Sequence, residues 1–258
     1  MKASPPEDRL GELAVDERLL RALRQYRTHL ELIYPFAVLA IASFLVEIRL
    51  ELIELLFDFE EFQFIVDREL LEGVLTERTT EQLVPFLEEL FVLLILGVLT
   101  ILLLTVLVFL GAVGIAFLVA GDDHRSVDRS QLARLVVVIR RLPALFVAAV
   151  LSLLAISVGL LFLVLPGIYL AGKLTLAGPA IVIDGYGPIE GLRYGWNAAT
   201  GQLVSVLGLL AVGFVAFVLV AFLPVVGELL AIIVVVPVVS LGIGTLYVES
   251  GIESSPNP

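Results

Sequence analysis

Lys173, Arg193 and Trp196 are the side chains in this sequence whose type and setting suit contact with a polar ligand at a membrane. Lys173 is the basic residue that falls clearly inside a long apolar run, where an ionic group costs free energy and marks either a site or a structural pair. Snorkelling offers it a cheaper use. In a helix that starts at Gly167, Lys173 is about 9 Å deep at 1.5 Å rise per residue, and helical side chains lean toward the N-terminus and the nearer interface. Arg193 and Trp196 stand on one amphipathic stretch, Trp196 on its apolar face and Arg193 largely outside that face. An indole alone anchors at headgroup depth, and with a guanidinium beside it the pair suits a lipid headgroup.

Asp184 follows Lys173 by about 16 Å of helix rise, too far for a direct pair. Its residue type and neighbours fit it to open the turn Asp184-Gly185-Tyr186-Gly187-Pro188, which ends one helix and admits the next. Hydrolytic and metal chemistry find little material. The sequence has no cysteine, its two histidines, His29 and His124, are far apart, and none of the motifs H-E-x-x-H, G-x-S-x-G or G-x-x-x-x-G-K-[ST] occurs. No pair of carboxylates lies within the apolar runs. The expectation is therefore a non-enzymatic protein with no catalytic residue, no metal ligand and no cofactor.

The elements that must position these residues are membrane helices. Of 258 residues 59% are hydrophobic and 17% charged, with a mean hydropathy of +1.05, and the apolar residues gather into charge-free runs long enough to cross a hydrocarbon core. Six spans are expected, at 30–48, 90–120, 143–165, 168–183, 203–223 and 229–248, giving an all-α polytopic bundle. The fourth is short and carries Lys173; a full crossing is preferred to a re-entrant loop. The polar, acidic start of the chain does not read as a secretory signal, so the first span is expected to stay attached.

Arginine asymmetry sets the expected orientation. Residues 1–29 hold six Lys/Arg and 121–142 hold five, whereas 58–89 holds only Arg68 and Arg78 against ten acids, so both termini are expected in the cytoplasm. The organisation expected is a cytoplasmic segment at 1–29, a transmembrane domain at 30–248 with an acidic outer loop at 58–89, and a tail at 249–258. Helix one is expected to continue outward along Glu47, Glu51 and Glu54. The net charge of -11, with only two lysines, suggests a halophilic archaeal source and provides no basic footprint for nucleic acid.

Amphipathic stretches at 17–29, 131–142 and 188–202 precede apolar spans and read as interfacial helices. The first would bury Leu19, Leu23, Tyr26 and Leu30, and the third Leu192, Gly195, Trp196 and Ala199. Leu165-Pro166 and Pro179 recur 58 residues later as Leu223-Pro224 and Pro237, which reads as an internal duplication of units 132–183 and 190–248. Small residues such as Ala155 with Gly159, Ser240 with Gly244 and Gly111 with Gly114 would let helices approach closely.

The stretch 165–202, LPGIYLAGKLTLAGPAIVIDGYGPIEGLRYGWNAATGQ, resembles the membrane domain attached to some glycerophosphoryl diester phosphodiesterases and shared by uncharacterised multi-pass proteins of bacteria and haloarchaea. The matching positions are Leu165, Pro166, Gly167, Lys173, Asp184, Glu190, Trp196, Thr200 and Gly201; Gly195 departs from a pattern that often has Ser before the Trp. The resemblance implies a multi-helix membrane domain without established activity. It does not bring the phosphodiesterase barrel, which needs about 250 residues of its own.

The function expected is a membrane domain that organises lipids or partner membrane proteins, with a transporter or channel as the alternative, since proline-broken helices are a transporter device. The orientation is open to direct measurement. Single cysteines at Arg78→Cys, Arg129→Cys and Arg193→Cys should label with an impermeant thiol reagent in intact cells only at position 78; labelling at 193 as well would remove the fourth span.

Overall fold

A computed structural model of the chain describes residues 7–56, 77–127, 129–223 and 226–253. The expected acidic loop lies mostly outside the described residues, but 77–89 is helical. Among the described residues the fold is all helical. The described residues form eight helices, α1 (Glu7–Thr28), α2 (Ile33–Leu56), α3 (Glu77–Arg125), α4 (Gln131–Phe162), α5 (Val164–Leu174), α6 (Pro188–Ala198), α7 (Leu203–Ala221) and α8 (Val236–Glu253). Among the described residues six segments are long and apolar enough to cross a membrane: Leu30–Ile48, Ile95–Arg125, Gln131–Phe162, Val164–Asp184, Leu203–Ala221 and Gly227–Ser250. The expected fourth span therefore starts four residues earlier, at Val164. Exposed Leu161, Phe162, Leu165 and Phe222 cap the hairpin tips with apolar surface that a bilayer would cover.

The chain divides into two compact units, residues 41–106 and the remainder. In the smaller one Phe44, Leu45, Ile48, Leu93, Leu96 and Leu99 are exposed, and Glu47 and Glu51 are exposed beside them. The larger unit holds the core. Phe117, Leu118, Val138, Leu145, Leu176, Ile181, Val206 and Leu246 pack in one cluster, while Tyr26, Leu32, Phe36, Val119 and Leu241 form another.

Amphipathic patterning identified polar faces but not what the apolar faces meet. Residues 131–142 are not a separate interfacial helix: they run without a break through Pro143 into the span as α4. Ser130 caps that helix, its hydroxyl accepting from the Ala133 backbone N–H. On α1 the inward face is half-buried Leu19 with buried Ala22 and Tyr26; Leu23, and Leu30 just past the helix, both expected inside, are exposed, because Ala22 faces the bundle instead.

The third stretch, α6, doubles back along the fourth span. Gly185, at φ 81°, sits in the left-handed region that glycine tolerates and reverses the chain. Pro188 then occupies the first turn of α6, where its missing N–H is harmless. Contacts advance on one helix as they recede on the other: Gly191 meets Ile181, Gly195 meets Ala177 and Leu176, and Thr200 meets Lys173, so the two run antiparallel. The expected apolar face of α6 is turned in, with Gly195 and Ala199 buried and Glu190, Arg193 and Asn197 exposed, but it meets protein. Close backbone approach explains the Gly at 195, since a Cβ there would stand 2.4 Å from the Ala177 nitrogen.

Both expected proline sites lie beside π turns, but in different phase. The turn Ala180–Asp184 follows Pro179, whereas Ala231–Val235 precedes Pro237, so the local breaks in the two units are not equivalent; Pro224 lies outside the described residues. Of the small residues, Gly159 abuts the Gly167 backbone and Gly244 abuts Ala120, while a Cβ at Gly111 would meet nothing within 4 Å. The antiparallel packing gives a sharp test: Gly195→Ala should lower stability by about 1–3 kcal/mol through overpacking. Gly201→Ala, in open space, should be near neutral. Thermal melting of both variants in one detergent checks this, and equal melting points would refute the close approach.

Candidate functional site

Three polar constellations stand out in the larger unit. The first surrounds Lys173, which α5 carries in its last turn and which is only 3% exposed. Its Nζ donates to Thr200 Oγ1 at 2.7 Å and lies 5.5 Å from the Trp196 ring centroid and 5.7 Å from that of Tyr169. The two rings meet edge to face at 6.0 Å, and Thr200 Oγ1 in turn donates to the Trp196 carbonyl at 3.0 Å. A buried ammonium over π faces with a hydroxyl acceptor is electrostatically favoured. No carboxylate pairs with it among the described residues. Lys173 therefore does not snorkel into solvent; it clamps the end of α6 to the fourth span.

Two of the three residues singled out from sequence are thus brought together, and Arg193 is not. Arg193 is exposed on the polar face of α6, and no hydrogen bond or ion pair to it is formed among the described residues. Trp196 meets Lys173 and Tyr169 across the turn instead of Arg193 on its own helix. The partner that counts comes from the adjacent span, and the antiparallel return selects it.

The second constellation went unread in the sequence. Arg134 and Asp122 are both buried, and Arg134 Nε donates to Asp122 Oδ2 at 3.0 Å while its Nη1 donates to Glu31 Oε1 at 2.8 Å. Arg129 Nη1 lies 3.2 Å from Asp122 Oδ1, and Gln131 Nε2 donates to Glu31 Oε2 at 2.7 Å. Asp123 accepts from Gln25 at 2.7 Å and lies 3.0 Å from His29 Nε2. These residues join the end of α1, the end of α3 and the start of α4. Beside them runs a groove of about 250 Å³, walled by Tyr34, Val38, Ile115, Leu132 and Leu135, with Glu31, Gln131 and Arg134 at its polar edge.

The third is an open polar pocket of about 340 Å³ lined by His124, Arg125, Asp184, Tyr186, Tyr194, Tyr247 and Val248. Asp184 Oδ1 accepts from Arg125 Nη2 at 2.7 Å, and Oδ2 accepts from the Tyr247 hydroxyl. Asp184 thus has more than the turn-opening use read from the sequence. Tyr186 and Tyr194 stack at 4.8 Å, and Tyr194 meets Tyr247 at 6.2 Å and 60°. Tyr186 lies beyond the end of the span. Desolvation first, then Tyr194 and the Asp184 charge, push its hydroxyl up from the usual tyrosine range, so it is a neutral donor at pH 7.

No protein family, curated protein or solved structure matches this chain. Its chemistry is therefore read from these three constellations. Among the described residues no group of three metal-ligating side chains converges.

The Lys173 clamp makes a prediction that separates charge from packing. Thr200→Val strands a buried ammonium without its acceptor and should cost about 1–3 kcal/mol. Lys173→Met keeps the stem and removes the charge, so its effect should be smaller. Adding Lys173→Met to Thr200→Val should recover much of the lost melting temperature; a double variant no more stable than Thr200→Val would refute the clamp.

Proposed function

We propose that this chain is a non-enzymatic domain of the cell membrane that holds lipid, with both termini in the cytoplasm. The observation that carries the reading is the lateral groove beside Arg134. Its walls of Tyr34, Val38, Leu132 and Leu135 are exposed or half-buried apolar side chains, and Glu31, Gln131 and Arg134 close one edge. Apolar walls that end at hydrogen-bonding groups match an amphiphile, with the chain along the helices and the polar end at the ion network. The groove lies on segments long and apolar enough to be membrane spans, so lipid is the ligand with immediate access.

The reading retains the expectation of a domain that organises lipids or partner membrane proteins, but moves its centre. Helix α6 packs along the fourth span and holds Trp196 against Lys173, which leaves Arg193 as its exposed basic group, so the reading rests on the groove along α4 and not on an Arg193–Trp196 pair.

Transport is the second reading, and the π turns at Ala180–Asp184 and Ala231–Val235 favour it, because broken helical geometry within spans is common at transporter sites. The groove separates the two. Leu135→Trp should fill it and reduce by several-fold the lipid that stays with the purified protein, measured by mass spectrometry of the detergent-solubilised sample. Leu161→Trp, at an exposed hairpin tip, is the control. Unchanged retention in Leu135→Trp would refute the lipid-holding reading.

A further inference from the structure

The pocket around Asp184 is chemically unlike the groove, and its ligand class can be argued independently. Its fixed charges are one carboxylate, Asp184, and one guanidinium, Arg125, bonded to each other at 2.7 Å. A purely anionic ligand would face Asp184 and a purely cationic one Arg125, so neither sign alone is favoured. The remaining wall is aromatic. Tyr186 and Tyr194 contribute ring surface, which attracts alkylated ammonium groups through the ring quadrupole, and buried Tyr247 packs behind Tyr194.

The guanidinium has five donors in a planar fork suited to phosphate oxygens, of which the Asp184 bond uses one group. His124 and the hydroxyls of Tyr186 and Tyr194 add hydrogen-bonding capacity on the same wall. Access is open, since the Arg125 side chain is 49% exposed and Tyr194 is 38% exposed. Rigidity comes from beneath: buried Tyr247 holds Asp184 through its hydroxyl, and Arg141 Nη1 donates to the Val182 carbonyl two residues before it.

We propose that this pocket binds a zwitterion in which a phosphate and a quaternary ammonium are joined by a short linker. The phosphate meets Arg125 and His124, and the ammonium meets the tyrosine faces and the outer side of Asp184. Both a phospholipid headgroup and a small soluble phosphoammonium compound have this chemistry. No side chain of the groove takes part, so the site stands whether or not the groove holds lipid.

The test uses the full chain in a maltoside detergent, because detergents with a phosphocholine headgroup would compete. Calorimetric titration with phosphocholine should show saturable binding, and choline or inorganic phosphate alone should each bind at least ten-fold more weakly, since each satisfies half of the site. Arg125→Gln and Tyr194→Leu should each weaken phosphocholine at least ten-fold with unchanged melting temperature, while Leu135→Trp should leave it unchanged. Flotation with vesicle pairs of phosphatidylcholine and phosphatidylglycerol distinguishes the sources. Selection of phosphatidylcholine without binding of soluble phosphocholine assigns a lipid headgroup, and the reverse assigns a soluble ligand; either supports the site. Absence of both, equal binding of phosphate alone, or full binding by the two variants with the melting temperature retained would overturn it.

Discussion

A buried guanidinium cannot be left without its anions. Arg134, 5% exposed, reaches Asp122 on α3 and Glu31 at the start of the first span, and the other ends of those two carboxylates are tied by Arg129 and Gln131. Removing Arg134 or Asp122, the two buried members, leaves the other's charge stranded in a low-dielectric interior, a loss of about 3–5 kcal/mol in comparable pairs. The arrangement therefore selects one register of three helices among many that apolar packing alone would tolerate. Apolar side chains in a membrane bundle gain little from one another over lipid, so polar contacts and close packing must specify the fold. The groove and its polar edge exist because this network fixes where α3 and α4 part.

Close packing contributes the other half. Gly159 against Gly167, Gly195 against Ala177 and Gly244 against Ala120 bring backbones together where a larger residue would hold them apart. The return of α6 depends on such a contact. Without it, Trp196 and Thr200 would not reach Lys173, and the buried ammonium would lose the hydroxyl and the rings that replace its water.

What could be read from sequence was what repeats locally. Apolar run length placed six helices, Gly185 and Pro188 placed a reversal, and the polar face of α6 fell on Glu190, Arg193 and Asn197 as its 3.6-residue period requires. What could not be read were partners remote in the chain. Glu31 and Arg134 are 103 residues apart, and Arg125 and Asp184 are 59 apart; no periodicity links such positions. The same blindness explains the interfacial reading of 131–142 and 188–202. An amphipathic pattern states that one face avoids water and does not say whether lipid or protein covers it, and Pro143 at the start of a span was tolerated within one continuous helix.

Pro237 has no N–H to give the carbonyl four residues earlier, at Ile233, and that oxygen instead accepts from the Tyr26 hydroxyl at 2.8 Å. Helix α1 thus supplies a donor to the backbone just ahead of α8. The two residues are 207 positions apart, so the bond ties the sixth span to a helix remote from it in sequence. Helix α1 therefore acts as a latch on the sixth span, held there by a carbonyl to which the proline cannot donate.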